Sequence, residues 1–269
     1  MISWLFGAAG AILVAGAAYW KKSLSLSGAL AAVMMGTIYY GAGNLFWFGL
    51  LLLFFVTSTL LSKWRGDRKE ELEKSYAKSS TRDAGQVFAN GGVGMLACLG
   101  CWIWPSELWA YGFVGVMATV TADTWATEWG GLSRRPPRSV LTWRPLPPGT
   151  SGGVSLLGTA AAAAGGLLIG GAGWLLGTWT AVVSGSATLW LLVGGIGGLA
   201  GAMADSLLGA SVQRMYRCQV CGKLVEVQTH CDHPTVFYRG MNWMNNDAVN
   251  LISSLAGGGI GIWIGSIAG

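Results

Sequence analysis

Eight apolar stretches divide the sequence, and each is long enough to cross the hydrocarbon core of a bilayer as a helix. A transmembrane helix needs about 20 largely apolar residues. Because the stretches are continuously apolar and do not alternate with a period of two, they argue against a β-barrel. The sequence predicts an all-α integral membrane protein of about eight transmembrane helices, forming a single domain over residues 1–269. The predicted spans are approximately 2–20, 24–41, 44–61, 84–104, 108–129, 153–176, 187–211 and 246–267.

Composition agrees with this class. Only 11% of the residues are charged, 52% are hydrophobic and 43 are glycine, whereas about a quarter of a soluble domain is usually charged. Small residues let membrane helices approach closely. The first span lacks a basic start, and Lys21 and Lys22 follow it. We therefore expect a first transmembrane helix here and not a secretory signal peptide.

The basic residues fix a predicted orientation. All 17 Lys and Arg fall in the links after spans one, three, five and seven, and the positive-inside rule makes those links cytoplasmic with both termini outside. The three long links are a charged loop (62–82), a Pro/Arg-rich loop (130–152) and a Cys/His loop (214–244). Membrane topology thus accounts for the net charge of +5 without a nucleic-acid partner.

Polar residues gather at the predicted cytoplasmic ends of spans four to eight, and spans one to three have no such set. Acids within membrane spans are costly and usually functional, although neighbouring helices could also simply satisfy them. The pattern predicts one polar chamber that opens to the cytoplasm. Its candidate catalytic acids are Asp123, Glu128, Asp205 and Asp247. Its candidate substrate and phosphate ligands are Gln86, Asn90, Thr124, Gly149, Thr150, Gly152, Gly153, Ser155, Ser206, Gln213, Asn246 and Asn250.

The chamber's chemistry indicates phosphate handling. Glycines 149, 152 and 153 precede a predicted helix N-terminus, where free N–H groups and the helix dipole favour an anion. Mg²⁺ prefers carboxylate oxygens and commonly joins a few carboxylates to substrate phosphates, so Asp123, Glu128, Asp205 and Asp247 are its candidate ligands. The sequence has no Walker lysine motif, which excludes an ordinary soluble P-loop kinase.

A short internal similarity relates two of the acids. Ala-Asp-Thr at 122–124 and Ala-Asp-Ser at 204–206 both end outward-to-inward spans. The similarity predicts that spans four and five and spans six and seven are duplicated hairpins around the chamber. Chance similarity between Ala/Gly-rich helices is the alternative.

The five cysteines divide into two groups. Cys98 and Cys101 lie within a span, where we expect apolar packing, with a disulfide as the alternative. Cys218-x-x-Cys221-Gly, followed by His230-Cys231, has zinc-ligand spacing. We predict a structural zinc held by Cys218, Cys221, Cys231 and a histidine, His230 ahead of His233. A metal-free loop is the alternative.

Taken in order, the motifs are similar to those of one known family. They are Gln86 to Gly91, Ala122-Asp-Thr-Trp-Ala-Thr-Glu, Gly149-Thr-x-Gly-Gly-Val-Ser, Asp205-Ser-x-Leu-Gly-Ala-x-x-Gln213, Cys218-x-x-Cys-Gly, His230-Cys231 and Asn246-Asp247-x-Val-Asn250. The chain resembles the polytopic membrane family that contains plant phytyl-phosphate kinase and an animal transmembrane protein of unknown function. The resemblance implies phosphoryl transfer from a nucleoside triphosphate, CTP or ATP, to an isoprenoid monophosphate.

Two other functions would use the same anion-binding helix ends. A transporter or flippase for a lipid phosphate is the first, but the polar groups gather at one face and not at the bilayer midplane, where transport sites usually lie. A cytidylyltransferase acting on a lipid phosphate is the second. It would release pyrophosphate, whereas the kinase would release a nucleoside diphosphate.

The one-sided basic charge yields a topology prediction. Single cysteines placed in the loops 63–82, 134–144 and 214–239 should react with membrane-impermeant thiol reagents only from the cytoplasmic side. Labelling of any of these loops from the outside alone would overturn the predicted orientation.

Overall fold

The computed structural model describes residues 1–64, 75–78 and 80–268, and its framework is a bundle of long helices. Residues 65–74 and 79, which belong to the predicted charged loop, lie outside the described part. The all-helical membrane fold expected from the sequence is confirmed. The long helices in the described ranges are α1 (Ile2–Trp20), α2 (Leu26–Ile38), α3 (Leu45–Lys63), α4 (Ala84–Ile103), α5 (Glu107–Gly130), α6 (Leu156–Trp179), α7 (Ala187–Ser211) and α8 (Asn246–Ala268).

Two of the differences from the predicted spans have a clear structural reason. Helix α2 passes into a π-helical turn, Tyr39–Gly43, before Asn44 caps α3 by accepting a hydrogen bond from the Phe46 N–H at 2.9 Å. Helix α6 begins at Leu156 and not at residue 153, because β1 (Arg138–Ser139) and β2 (Gly153–Val154) pair as a short antiparallel ladder. The Pro/Arg-rich loop therefore returns to the bundle as extended chain.

Helix α5 lies at the centre of the bundle. Every residue from 110 to 122 is buried, and the helix packs against α3, α4, α6, α7 and α8. Within the described ranges, the other seven helices are apolar and long enough to span a membrane by length and composition, with α2 counted together with its π-helical turn, and α5 falls outside that set. The reason is its surroundings: a helix enclosed by other helices needs little lipid-facing apolar surface, so it can carry glycines, threonines and acids.

Close backbone approaches hold α5 in place. A Cβ atom on Gly115 would collide with the carbonyl oxygen of Gly257 on α8. The Thr119 hydroxyl donates to the Gly115 carbonyl at 2.8 Å and to the Gly197 carbonyl of α7 at 3.3 Å. Because lipid tails are as apolar as the side chains, membrane helices associate through such close packing and interhelical hydrogen bonds.

Aromatic packing joins α2 and α3 to this centre. The Trp47 and Phe113 ring centroids are 4.6 Å apart, and Phe46 packs edge-on against both rings. The Tyr39 hydroxyl donates to the Gly91 carbonyl at 2.8 Å, which satisfies a polar atom that would be costly if left unpaired in an apolar interior. One continuous core therefore runs from α2 to α8.

The loops that carry the basic residues meet at one end of the bundle. Lys63 Nζ donates to the Lys21 carbonyl at 2.7 Å, and the Thr81 hydroxyl donates to the Lys22 carbonyl at 2.8 Å. The Cys/His loop forms a three-stranded sheet of order β4-β3-β7 beside a β5–β6 hairpin. Its strands are β3 (Met215–Arg217), β4 (Leu224–Val225), β5 (Thr229–His230), β6 (His233–Pro234) and β7 (Val236–Arg239).

The glycine packing of α8 yields a paired prediction. Gly257→Ala should destabilise the fold by about 1–3 kcal/mol, the usual cost of overpacking, because its Cβ would collide with the Thr119 hydroxyl and come within 2.9 Å of the Gly197 carbonyl. The measurement is thermal unfolding of the purified protein in detergent.

Gly259→Ala is the matched control, since it lies two residues further along the same helix and a Cβ there meets open space. Its melting temperature should equal or slightly exceed that of the wild type. Equal destabilisation by both variants would contradict the packing argument.

Candidate functional site

A polar cavity of about 310 Å³ lies at the end of the bundle where the basic loops meet. It is formed by the ends of α3 to α8 and by residues of the charged, Pro/Arg-rich and Cys/His loops. Of the sixteen predicted catalytic and ligand residues, Asp247 alone is absent from the lining. The fifteen that line the cavity are Gln86, Asn90, Asp123, Thr124, Glu128, Gly149, Thr150, Gly152, Gly153, Ser155, Asp205, Ser206, Gln213, Asn246 and Asn250.

Helix packing brings Asp123 and Asp205 to the same cavity. Thr119 lies directly against Gly201, so α5 and α7 touch at that level. Each aspartate follows its contact residue by four positions, and residues four apart share a helix face. Because both helices run toward the loop end, the two acids project from the turn just beyond the contact.

A third carboxylate, Glu226, joins these two from the Cys/His loop. It lines the cavity, and its charge interacts with those of Asp123 and Asp205. The Ser253 hydroxyl lies 3.3 Å from Asp205 Oδ2, to which it donates. The cavity thus holds three interacting carboxyl groups from three separate parts of the chain.

Hydrogen bonds hold Glu226 in its position. Gln213 Nε2 donates to Glu226 Oε1 at 2.9 Å, and the Ala77 N–H donates to Oε2 at 3.2 Å. Burial raises the pKa of Glu226, while these two hydrogen bonds oppose the rise by stabilising the carboxylate. The buried Gln213 also accepts a 2.6 Å hydrogen bond from Ser151. One network therefore ties the Cys/His loop to the glycine-rich turn.

Lys78 supplies positive charge at the rim of the cavity. Its ammonium contacts Asp83 at 2.7 Å and Asp247 at 2.8 Å. Burial lowers the pKa of Lys78, but its hydrogen bonds to these two carboxylates outweigh that effect and raise the pKa overall. Asp247 therefore forms an ion pair with Lys78 and does not line the cavity with the other acids.

Arg82 is a second cation of the lining. Its guanidinium donates to Thr59 Oγ1 at 2.9 Å and interacts with the charge of Glu128. Burial lowers its pKa to about 10, so the side chain remains positively charged near neutral pH. Glu128 also accepts a short hydrogen bond from Ser62.

The glycine-rich turn is shaped by internal hydrogen bonds. Gly149 and Gly152 have φ values of 81° and 82°, which glycine adopts at no steric cost. The Thr150 N–H donates to the Pro147 carbonyl at 3.2 Å, and the Gly153 N–H donates to the Thr150 carbonyl at 3.1 Å. Ser155 caps α6 by accepting from the Gly158 N–H at 3.1 Å. Part of the backbone predicted to meet a phosphate is thus already engaged within the turn.

Gln86 likewise has a structural role beside its place in the lining. It forms a capping box with Asp83 at the start of α4: the Gln86 N–H donates to Asp83 Oδ1 at 2.9 Å, and the Asp83 N–H donates to Gln86 Oε1 at 3.1 Å. The amide of Asn90, one turn further, donates to the Gln86 carbonyl at 2.9 Å. These contacts orient the end of α4 toward the cavity.

Four Cys/His side chains form a compact group outside the cavity. The possible ligand atoms of Cys218, Cys221, His230 and Cys231 all lie within 4.8 Å of one another. His230 Nδ1 is 3.6 Å from the Cys221 sulfur and 3.2 Å from the Cys231 sulfur, whereas His233 Nδ1 contacts the Cys231 carbonyl at 2.8 Å. The group could hold a metal, and His230, not His233, belongs to it.

Backbone geometry explains how adjacent residues join one group. Cys231 and Asp232 both have positive φ, 54° and 59°, as the two central residues of a type I′ hairpin turn require. This turn connects β5 to β6. Hydrogen bonds, chiefly from the Cys221 backbone, lower the pKa of Cys218 to about 6, which favours the thiolate that metals bind.

Sequence reasoning missed Glu226, Lys78 and Arg82. Glu226 lies among the predicted zinc ligands in a loop, and Lys78 lies in a mixed-charge segment, so neither has a distinguishing local pattern. Arg82 carried one signal, since it stands directly before the span that contains Gln86 and Asn90.

Comparison with known proteins gives matches along nearly the whole chain. A family model described as an integral membrane protein, DUF92, matches residues 9–258. Protein PGR of Arabidopsis thaliana is 34% identical over 263 residues, covering 90% of this chain and 89% of that protein. An uncharacterized membrane protein of Methanocaldococcus jannaschii is 32% identical over 91% of this chain and 87% of its own length.

A more distant relative is also from a plant. The Arabidopsis thaliana protein VTE6, chloroplastic, is 26% identical over 90% of this chain and 65% of that protein. No solved structure matches the chain significantly.

Proposed function

We propose that the chain, which belongs to the DUF92 family of integral membrane proteins, is a membrane-embedded prenyl-phosphate kinase. It would transfer a phosphoryl group from a nucleoside triphosphate to an isoprenoid monophosphate and so form the diphosphate. The motifs resemble the family of plant phytyl-phosphate kinase, and the matches to PGR and VTE6 agree with that family. The prenyl chain itself is left open at this level of identity.

One observation carries the proposal. The charged side chains that line the cavity are four carboxylates and three cations: Asp123, Glu128, Asp205 and Glu226, with Lys78, Arg82 and Arg135. Phosphoryl transfer between two phosphates needs groups that position anions and offset the charge that develops, with little covalent work from the protein. A polar cavity with both signs of charge at the end of an apolar bundle suits a substrate with a phosphate head and a hydrocarbon chain.

The reaction needs no strong general base. An oxygen of the prenyl monophosphate is already anionic and attacks the γ-phosphorus of the nucleotide. The bond between that phosphorus and the β,γ-bridging oxygen breaks, and the nucleoside diphosphate leaves with the electron pair. Lys78 and Arg82 would attract the phosphate oxygens, and fixed charges in a preformed cavity stabilise the transition state without reorganisation.

We infer that three of the acids would hold a magnesium ion. Asp123, Asp205 and Glu226 present oxygen ligands whose charges repel one another across the cavity, and a divalent cation would relieve that repulsion. Bound Mg²⁺ would neutralise charge on the phosphates. Glu128, engaged with Ser62, and Asp247, engaged with Lys78, would act by positioning those neighbours.

The assay combines purified protein in detergent with prenyl monophosphates, Mg²⁺ and each nucleoside triphosphate in turn. The kinase predicts a nucleoside diphosphate and a prenyl diphosphate as products. Pyrophosphate release would instead show the cytidylyltransferase. A protein that leaves every nucleotide intact but moves lipid phosphate across a vesicle membrane would be the transporter.

We expect Asp123→Asn and Asp205→Asn each to lower turnover by about a hundredfold or more. Metal neutralisation of a transferring phosphate contributes several kcal/mol, and ~1.36 kcal/mol corresponds to tenfold in rate. The amide keeps the shape and most hydrogen-bonding capacity, so folding should survive.

Glu107→Gln is the matched control, because Glu107 is an exposed acid at the opposite end of the same helix, bonded to Ser184. Its turnover should equal that of the wild type. Folded Asn variants with near-normal activity would remove the metal role of the two aspartates.

We also propose a structural zinc at Cys218, Cys221, His230 and Cys231. Three cysteines and one histidine are a common structural zinc set, and the four ligand atoms already lie together. The metal would fix the Cys/His loop, and with it Glu226, which stands four residues before His230.

Elemental analysis should therefore find about one zinc per chain after purification without chelators. His230→Ala should lower the zinc content, because it removes one ligand. His233→Ala should leave it unchanged, since that ring lies outside the group. Loss of zinc in both variants, or its absence from the wild type, would contradict the site.

A further inference from the structure

A second, apolar cavity lies beside the polar one, among α1, α2, α3 and α4. Its volume is about 70 Å³, and its walls are almost entirely aliphatic and aromatic. Val14 and Ala15 come from α1, Met35 from α2, and Leu52 and Phe55 from α3. We call this cavity the apolar groove. No carboxylate of the described residues lines the groove, so the groove is not an extension of the acid cluster.

The apolar groove and the polar cavity share part of their walls. Arg82, Gln86 and Asn90 line both. Gln86 and Asn90 lie one turn apart on α4, so the two cavities adjoin along this turn. A molecule with its charged head in the polar cavity would extend an apolar chain past α4 into the groove.

Arg82 lies where the two cavities adjoin and places a positive charge there. Its guanidinium carbon lies 5.8 Å from the Phe54 ring centroid and 5.5 Å from that of Phe55, a groove residue. A backbone ladder to Ser23 holds it there: the Arg82 N–H donates to the Ser23 carbonyl at 3.0 Å. A fixed cation at the mouth of an apolar groove complements one ligand class, an anionic head joined to a hydrocarbon chain.

We propose that the apolar groove binds the hydrocarbon chain of the prenyl monophosphate, with the phosphate beside Arg82. The inference rests on the proposed function for the identity of the head group. Val14, Leu52 and Phe55 are only partly buried, so the groove opens on the outer surface of the bundle. A chain longer than the groove can continue into the bilayer, and the first isoprene units would be the ones the protein selects.

The test fills the groove with an indole and leaves the polar cavity untouched. Val14→Trp should raise KM for farnesyl and geranylgeranyl monophosphate by about tenfold or more, since lost apolar pocket contacts are worth that much. KM for dimethylallyl monophosphate, whose chain is too short to fill the groove, should change little. The neighbouring Leu13→Trp is the matched control, because Leu13 is 74% exposed on the outer face of α1, and it should behave as the wild type for every chain length.

A binding readout without nucleotide separates this inference from the kinase proposal. Farnesyl monophosphate carrying a diazirine on its second isoprene unit is photolysed with the purified protein, and the labelled peptides are mapped by mass spectrometry. The label should fall on α1 and α3. Val14→Trp should remove most of it, Leu13→Trp none, and Leu52→Trp provides the same test from α3 should one variant misfold.

The outcomes are distinct. If the groove is labelled but no nucleotide is turned over, the kinase proposal is wrong, and the groove remains a binding site for the chain of a lipid phosphate. Turnover with labelling elsewhere, or with chain-length preference unchanged in both folded groove variants, would overturn the groove and keep the kinase.

Discussion

The contact between Thr119 and the glycines around it organises this molecule. Thr119 lies against Gly201 on α7 and Gly257 on α8, and its hydroxyl reaches the carbonyls of Gly115 and Gly197. Three helices can meet at this point only because the positions opposite the hydroxyl lack side chains. Asp123 and Asp205 lie one turn beyond the contact, and Ser253 lies one turn before Gly257 on the antiparallel α8. The placement of the site is therefore a consequence of how the core is packed.

The bundle separates two kinds of environment. Around α5 the helices carry acids, amides and hydroxyls at one end, and the Pro/Arg-rich and Cys/His loops close over them. Helices α1 to α3 are apolar along most of their length, and α3 adds the hydroxyls of Thr59 and Ser62 at its loop end. Arg82 and α4 lie between the two. The two environments adjoin because α4, the next long helix in the chain after α1 to α3, contributes Gln86 and Asn90 to both cavities.

At the rim of the cavity, acids and a lysine form ion pairs. In the interior, carboxylates lie together. Lys78 lies between Asp83 and Asp247, so these charges satisfy one another. The carboxylates of Asp123, Asp205 and Glu226 have no comparable ion pair among the described residues. Because like charges held close together are unfavourable, the interior of the cavity favours a bound cation.

The sequence by itself determined the class, the spans and the end of the bundle where polar groups gather. Bilayer thickness sets the length of an apolar stretch, and the cost of burying charge confines acids and bases to particular positions along it, so both leave a local pattern. The tertiary structure decided which of those residues meet. Glu226 comes from a distant loop into the cavity, and Asp247 pairs with Lys78. A hairpin turn places His230, and not His233, in the cysteine group. Helix α5 lies in the centre of the bundle. These outcomes depend on the direction in which helices face and on contacts between residues far apart in the chain, and hydropathy along a sequence contains neither.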